Sequence, residues 1–427
     1  MTITPRRMAH DMTFLHLPGK AYRTGRLTAL FALPLNESDA AANAILPPLL
    51  TRSCRRYPTL TALNGRLDEL YGADIGGQVT RLGGWQMLRF TASFLRPPHT
   101  LQGEDPAADC TRLLLDMLFD PLLDDGAVRQ TDFEQEQRCL LEYLQSEIND
   151  KRLYARRQCE CLLCPGQAYS VNPYGTEETV RALTPAATVE AWRRMLSSAR
   201  VHWLYQGEDD PAPLIREIEE RFTALPHRQA VNVTTDTTFT LKESSRTDTM
   251  DIQQAKLVLG LRIAAAEPDG PIMAARVMNT LLGGSPTSLL FRHVREEQSL
   301  CYYCSSGYDR LQGVLMIDSG VEAANAEKAK VEILRQLEAI RQGRFSDEEL
   351  EAARRSLIQQ FTAVEETPAG QDAFYIAQTL YDRYITPQET VRQIAAVTRD
   401  EVCAVARLVH QDTTYLLCPP TEGGERA

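Results

Sequence analysis

The sequence predicts an α+β fold made by tandem duplication of one domain, with mostly antiparallel sheet packed against helices. Three observations predict it. An apolar strand-like run, LTALFALPL from Leu27, has a counterpart in AKLVLGLRI from Ala255, and each leads into a helical stretch, Pro271–Leu282 in the second case. The tetrapeptide Glu178-Thr179-Val180-Arg181 recurs as Glu389-Thr390-Val391-Arg392. Finally, no βαβ unit with a glycine fingerprint is present, which argues for antiparallel sheets covered by helices rather than a doubly wound parallel one.

Each copy of the tetrapeptide introduces the same local grammar. LTPAATVEAWRRML and VTRDEVCAVARLV offer Thr184 and Thr398 as helix N-caps, followed by an apolar face of 3.6-residue period. An apolar strand then closes each copy, HWLYQG in the first and TTYLLCPP in the second. A repeat of about 200 residues is too long for a solenoid. The division it gives is 1–225, a linker at 226–246, and 247–427. The linker is polar and Thr-rich, and alternation in VNVTTDTTFTL leaves room for a strand. Two long helical tracts are expected, Thr131–Ala155 and Ser346–Phe361, the second opened by a Ser346/Glu349 capping box.

At 427 residues, 43% hydrophobic and 24% charged, the chain is that of a globular protein with ample core. A net charge of -11 argues against nucleic acid or an anionic membrane as the main partner, since both demand basic surface. Residues 1–30 carry no apolar signal-peptide run, and no window reaches the length of a membrane span. A cytoplasmic protein is therefore expected, and its ten cysteines are expected as free thiols. Two C-x-x-C spacings occur, Cys161/Cys164 and Cys301/Cys304. In the second, CYYCSS reads as a strand, where residues three apart point to opposite faces.

The segment 283–303, GGSPTSLLFRHVREEQSLCYY, places Arg295 on a short amphipathic helix and Tyr302 on the strand after it. Taken alone, Arg295 reads as a surface arginine with Glu296 and Glu297 beside it, and Tyr302 as a strand tyrosine. Taken with the duplicated halves, this segment resembles the C-terminal half of insulinase/pitrilysin-type zinc peptidases, and the resemblance covers nearly the whole chain. It implies paired LuxS/MPP-like α/β domains. It also implies an H-x-x-E-H zinc motif on an early helix, a later carboxylate ligand, and an Arg/Tyr pair that holds substrate.

Here the matching helix lies within 41–73, and the motif positions fall on Ala44, Pro47 and Pro48, none able to ligate zinc or accept a proton. The two prolines also force the helix to kink or restart. The third ligand would fall near Tyr143, one residue from Glu142. The seven histidines, His10, His16, His99, His202, His227, His293 and His410, include no two within five residues, so no H-x-x-E-H or H-E-x-x-H motif exists.

The resemblance therefore narrows to the family's non-zinc branch, some bacterial members of which are labelled as associated with modification of elongation factor P. It implies a chain without its own metal, which binds extended peptide through Arg295 and Tyr302. Zinc would be supplied only by an H-x-x-E-H paralogue in a heterodimer. A purely structural or peptide-binding role is the alternative. YGADIGG (71–77) and NPYGTEETV (172–180) are expected to shape turns.

Overall fold

The computed structural model describes residues 4–18, 22–225, 228–231, 243–263, 270–381 and 383–420. These form two compact units, and neither is a continuous stretch of chain. The first comprises Met1–Gln145, Val171–Thr234 and Val364–Thr386; the second comprises Ser146–Ser170, Thr235–Ala363 and Pro387–Ala427.

The first unit is built on a six-stranded sheet. Its strands are β1 (Arg6–Arg7), β2 (Met12–Leu17), β3 (Thr24–Pro34), β4 (Asp74–Leu82) and β5 (Trp85–Leu95), with a small hairpin, β6 (Leu123–Asp124) and β7 (Ala127–Val128), set apart, and then β8 (Arg200–Gln206). The spatial order is β1-β2-β8-β3-β5-β4. All pairings are antiparallel except β2 with β8. β3 is buried on both faces, which explains its near-continuous apolar sequence. Leu27, Ala29, Phe31 and Leu33 enter one core with Leu114, Leu118, Met195, Ile218 and Phe222, from the helices Pro106–Phe119, Pro185–Ser198 and Ala212–Thr223.

The second unit repeats this plan with β9 (Ser244–Thr249), β10 (Ala255–Ile263), β11 (Cys301–Asp309), β12 (Val314–Val321) and β13 (Val409–Cys418), in the order β11-β12-β10-β13-β9. Read from the other edge, the first sheet runs β4-β5-β3-β8-β2-β1, so five strands correspond one to one and β1 is an addition at the edge of the first sheet. Even the parallel pair recurs, as β13 with β9. Leu257, Leu259, Leu261 and Ile263 of β10 pack against Val277, Leu281, Ile333 and Leu337, on the helices Ile272–Leu282 and Ala326–Arg341.

The expected caps are present: Thr184 accepts from the Ala187 amide, Thr398 forms a capping box with Glu401, and Ser346 forms one with Glu349. Two expectations differ from the structure. The tract Thr131–Ala155 is two helices, Gln130–Glu147 and Lys151–Leu163, because the Asp150 side chain accepts from the Arg152 and Leu153 amides and starts a new helix. Near that break the chain first passes from the first unit to the second; a further crossing falls within 226–246, and the units differ from a simple division there by exchanging Ser146–Ser170 and Val364–Thr386. Most of 226–246, including the alternating Thr-rich run, lies outside the described residues, but its end, Ser244–Arg246, is paired strand within β9.

Candidate functional site

In the first unit the helix expected to carry a zinc motif is interrupted where the prolines require it. Ala40–Ala44 ends, and Leu46–Leu50 restarts with proline in its first turn, where the missing N–H costs nothing. Ala44 and Pro48 line a cavity of about 240 Å³ with Val79, Glu136, Leu140, Tyr143 and Tyr174. Pro47 lies against β4: a Cβ on Gly77 would stand 2.4 Å from its carbonyl oxygen, so glycine is required for that approach.

Tyr143, at the third-ligand position, sets its ring 4.4 Å from that of Tyr174 at a tilt of 49°, and the Tyr174 hydroxyl donates to the Val79 carbonyl at 3.0 Å. Glu142 is not among the lining residues. Glu136 is, but Arg52 holds it at 2.5 Å, so it is committed to an ion pair. Cys139 completes a donor set with no histidine, and the described residues contain no cluster of three metal-binding side chains. The donor set does not fit zinc. Tyr174 went unrecognised as a lining residue because NPYGTEETV reads only as a turn and helix start, which it is: Gly175 has φ 79° and Thr176 caps the next helix.

In the second unit Arg295 and Tyr302 are brought together on one open cavity of about 420 Å³, lined also by Glu296, Leu300, Cys301, Glu322 and Asn325. Arg295 belongs to a π-helical turn, Leu290–Glu297, which ends at Ser299 in a left-handed conformation (φ 51°). The guanidinium lies 4.6 Å over the Phe291 ring, with Glu296 at 3.6 Å. Glu297, the other expected neighbour, instead holds the His293 ring at 2.7 Å. Tyr302 is 61% exposed, which is unusual for a strand tyrosine and leaves its hydroxyl free to meet a ligand.

The exposure of Tyr302 has a local cause. Cys301 pairs with Val321 and Tyr303 with Gly320, so Tyr302 is the extra residue of a β-bulge at the end of edge strand β11. The bulge also corrects an expectation: with one residue added between them, Cys301 and Cys304 share a face. Both enter the same core. In the other C-x-x-C, Cys164 is buried and Cys161 exposed, and neighbouring Cys159 is sealed beneath the sheet, where burial pushes its thiol up.

A duplicated fold whose zinc-motif helix offers alanine and proline, and which retains an open Arg/Tyr pocket, defines a peptidase-like protein of the inactive type. The comparisons agree. Residues 182–357 match the family model of the peptidase M16 inactive domain. A Bacillus subtilis protein described as "Probable inactive metalloprotease YmfF" is 26% identical, over 94% of each chain. An uncharacterised zinc protease of Streptomyces coelicolor is 23% identical over 69% of this chain and 66% of its own. A conserved Enterococcus faecalis protein superposes with a TM-score of 0.90 at 24% identity, covering 99% of this chain and all of the other. A peptidase M16 inactive domain from Pseudomonas fluorescens gives 0.78 at 16%, covering both chains fully. Residues 182–357 thus match a peptidase M16 inactive domain, and the matches taken together support a place in the inactive branch of the insulinase/pitrilysin family. Among the described residues, no helix is long and apolar enough to cross a membrane.

Proposed function

We propose that the chain is the non-zinc subunit of a two-chain peptidase. It binds extended peptide and lends Arg295 and Tyr302 to the active site of a zinc-containing H-x-x-E-H paralogue, in the cytoplasm. The observation that carries this reading is what the two cavities present: the one at the zinc-motif positions is lined by Ala44, Pro48 and Tyr143, which form no zinc site, while the other presents Arg295 and the exposed Tyr302.

In this reading no metal resides on this chain, and the partner's zinc supplies Lewis-acid chemistry on the scissile carbonyl. Arg295 and Tyr302 bind and orient the peptide, and their donors strengthen as negative charge develops on that carbonyl oxygen. Peptide adds as a strand along β11, which lies at the edge of its sheet.

The alternative, a peptide-binding or structural subunit without a catalytic role, draws support from the Arg295 contacts to Glu296 and Phe291, which an arginine without a ligand would also make. One substitution separates the two. With the paralogue added, Arg295→Ala is expected to lower turnover about 100-fold, as loss of an oxyanion donor does. Turnover unchanged by the substitution would select the alternative, and cleavage by this chain alone with stoichiometric bound zinc would refute both.

A further inference from the structure

We propose that Cys301 and Cys304 form a redox-active dithiol in the wall of the Arg295 pocket, oxidised by low-molecular-weight disulfides. The bulge at Tyr302 places both thiols on one face of β11 and in one core, an arrangement a regular strand forbids. Their surroundings differ. Cys301 lines the open cavity beside Arg295, whereas Cys304 does not line it and sits in the core behind. Cys301 therefore meets the reagent, and Cys304 is placed to displace it.

The electrostatics run the same way. Interaction with the Cys304 thiol holds the Cys301 thiol down at about 7 against the opposing effect of burial, and the Ser319 hydroxyl and Arg295 charge assist. That same interaction, with burial, pushes Cys304 up. One thiol activated and the other kept protonated is the division of labour that thiol–disulfide exchange uses.

The step balances as follows. The Cys301 thiolate attacks one sulfur of a disulfide RSSR, forming the mixed disulfide Cys301–SR and releasing RS⁻. Cys304 gives up its proton and attacks the Cys301 sulfur. The Cys301–Cys304 bond forms as the second RS⁻ leaves. Two cysteine thiols are oxidised, RSSR is reduced, and both RS⁻ end as RSH. Closing this bridge constrains Tyr302, which lies between the two cysteines. Any effect on peptide handling rests on the proposed function and is measured separately, so the thiol chemistry stands or falls without it.

The test uses the full reduced chain, treated with oxidised glutathione at neutral pH, alkylated and digested with trypsin. Cleavage after Arg295 and Arg310 isolates both cysteines on the single peptide 296–310. The expected result is that this peptide loses two hydrogens and escapes alkylation. In Cys304→Ser, a glutathione adduct should persist on Cys301. In the wild-type chain the initial rate should rise only about twofold between pH 7 and 8.5, against more than about tenfold for an unshifted thiol. Recovery of the native peptide with both thiols free, or with glutathione on Cys301 that never resolves, would overturn the proposal.

Discussion

Each unit completes its sheet with a helix from the other half of the chain, and the two solve the attachment with opposite polarity. In the second unit the borrowed helix Lys151–Leu163 supplies cations and the sheet supplies the acid. Asp318 of β12, 1% exposed, receives Arg156 at 2.6 Å, Arg152, and the Ser305 hydroxyl at 3.3 Å. Arg152 also lies 4.5 Å over the Tyr303 ring. In the first unit the borrowed helix Pro368–Ile376 supplies the acid, and β3 and β5 supply the cations. Asp372 accepts from Thr28 at 3.0 Å, with Arg26 at 3.4 Å and Arg89 at 3.8 Å, while its Oδ1 finds no hydrogen bond among the described residues. The difference teaches which polarity satisfies a buried acid better. Long arginine stems on the crossing helix can reach inward and keep contact with water, whereas a short aspartate on that helix must be buried whole.

This comparison can be broken most directly at Asp318. Asp318→Asn should cost about 3 kcal/mol, the lower end for a broken buried pair because Arg152 can turn to water. It should be read as faster amide exchange across residues 151–163; unchanged protection there would remove Asp318 from the account. Asp372→Asn should cost less, about 1–2 kcal/mol, with lost protection confined to 368–376, since its ion pairs are longer and Asn can still accept from Thr28.

The repeated caps sharpen the comparison at smaller magnitude. Thr398→Ala, which breaks a full capping box, should cost about 1–2 kcal/mol in denaturant unfolding, and Thr184→Ala, a single capping bond, about 0.5–1 kcal/mol. Equal losses would mean the box adds nothing.

The smallest effect is on pH dependence. Burial raises the Asp372 carboxyl above its ordinary value, with Arg26 and Arg89 opposing. The native state then holds its proton where the unfolded chain has lost it. Its contribution is complete below the unfolded pKa near 4 and is lost as pH rises through the folded value. Protection of 368–376 should therefore decline as pH rises above about 4, and Asp372→Asn should flatten that slope.

Much of the fold was legible because its signals are local. The paired tetrapeptides, Thr184 and Thr398, and the apolar runs at Leu27 and Ala255 each announce an element through its own neighbours. Ala44, Pro47 and Pro48 were legible as positions without zinc donors for the same reason: no surroundings turn an alanine or proline into a ligand. The exchange of helices was not legible. Asp150 inside a continuous helical period marks a break only weakly, and nothing in 151–163 names the sheet it will cover.

The sequence by itself determined a duplicated α+β protein with no H-x-x-E-H motif and an Arg/Tyr segment in its second half. Tertiary structure alone decided which sheet each crossing helix completes, and that Tyr143 and Tyr174 line the first cavity. It alone also decided that one added residue at Tyr302 turns Cys301 and Cys304 onto the same face. These outcomes rest on pairing between residues far apart in the chain, and strand register is fixed only when partners meet across a sheet.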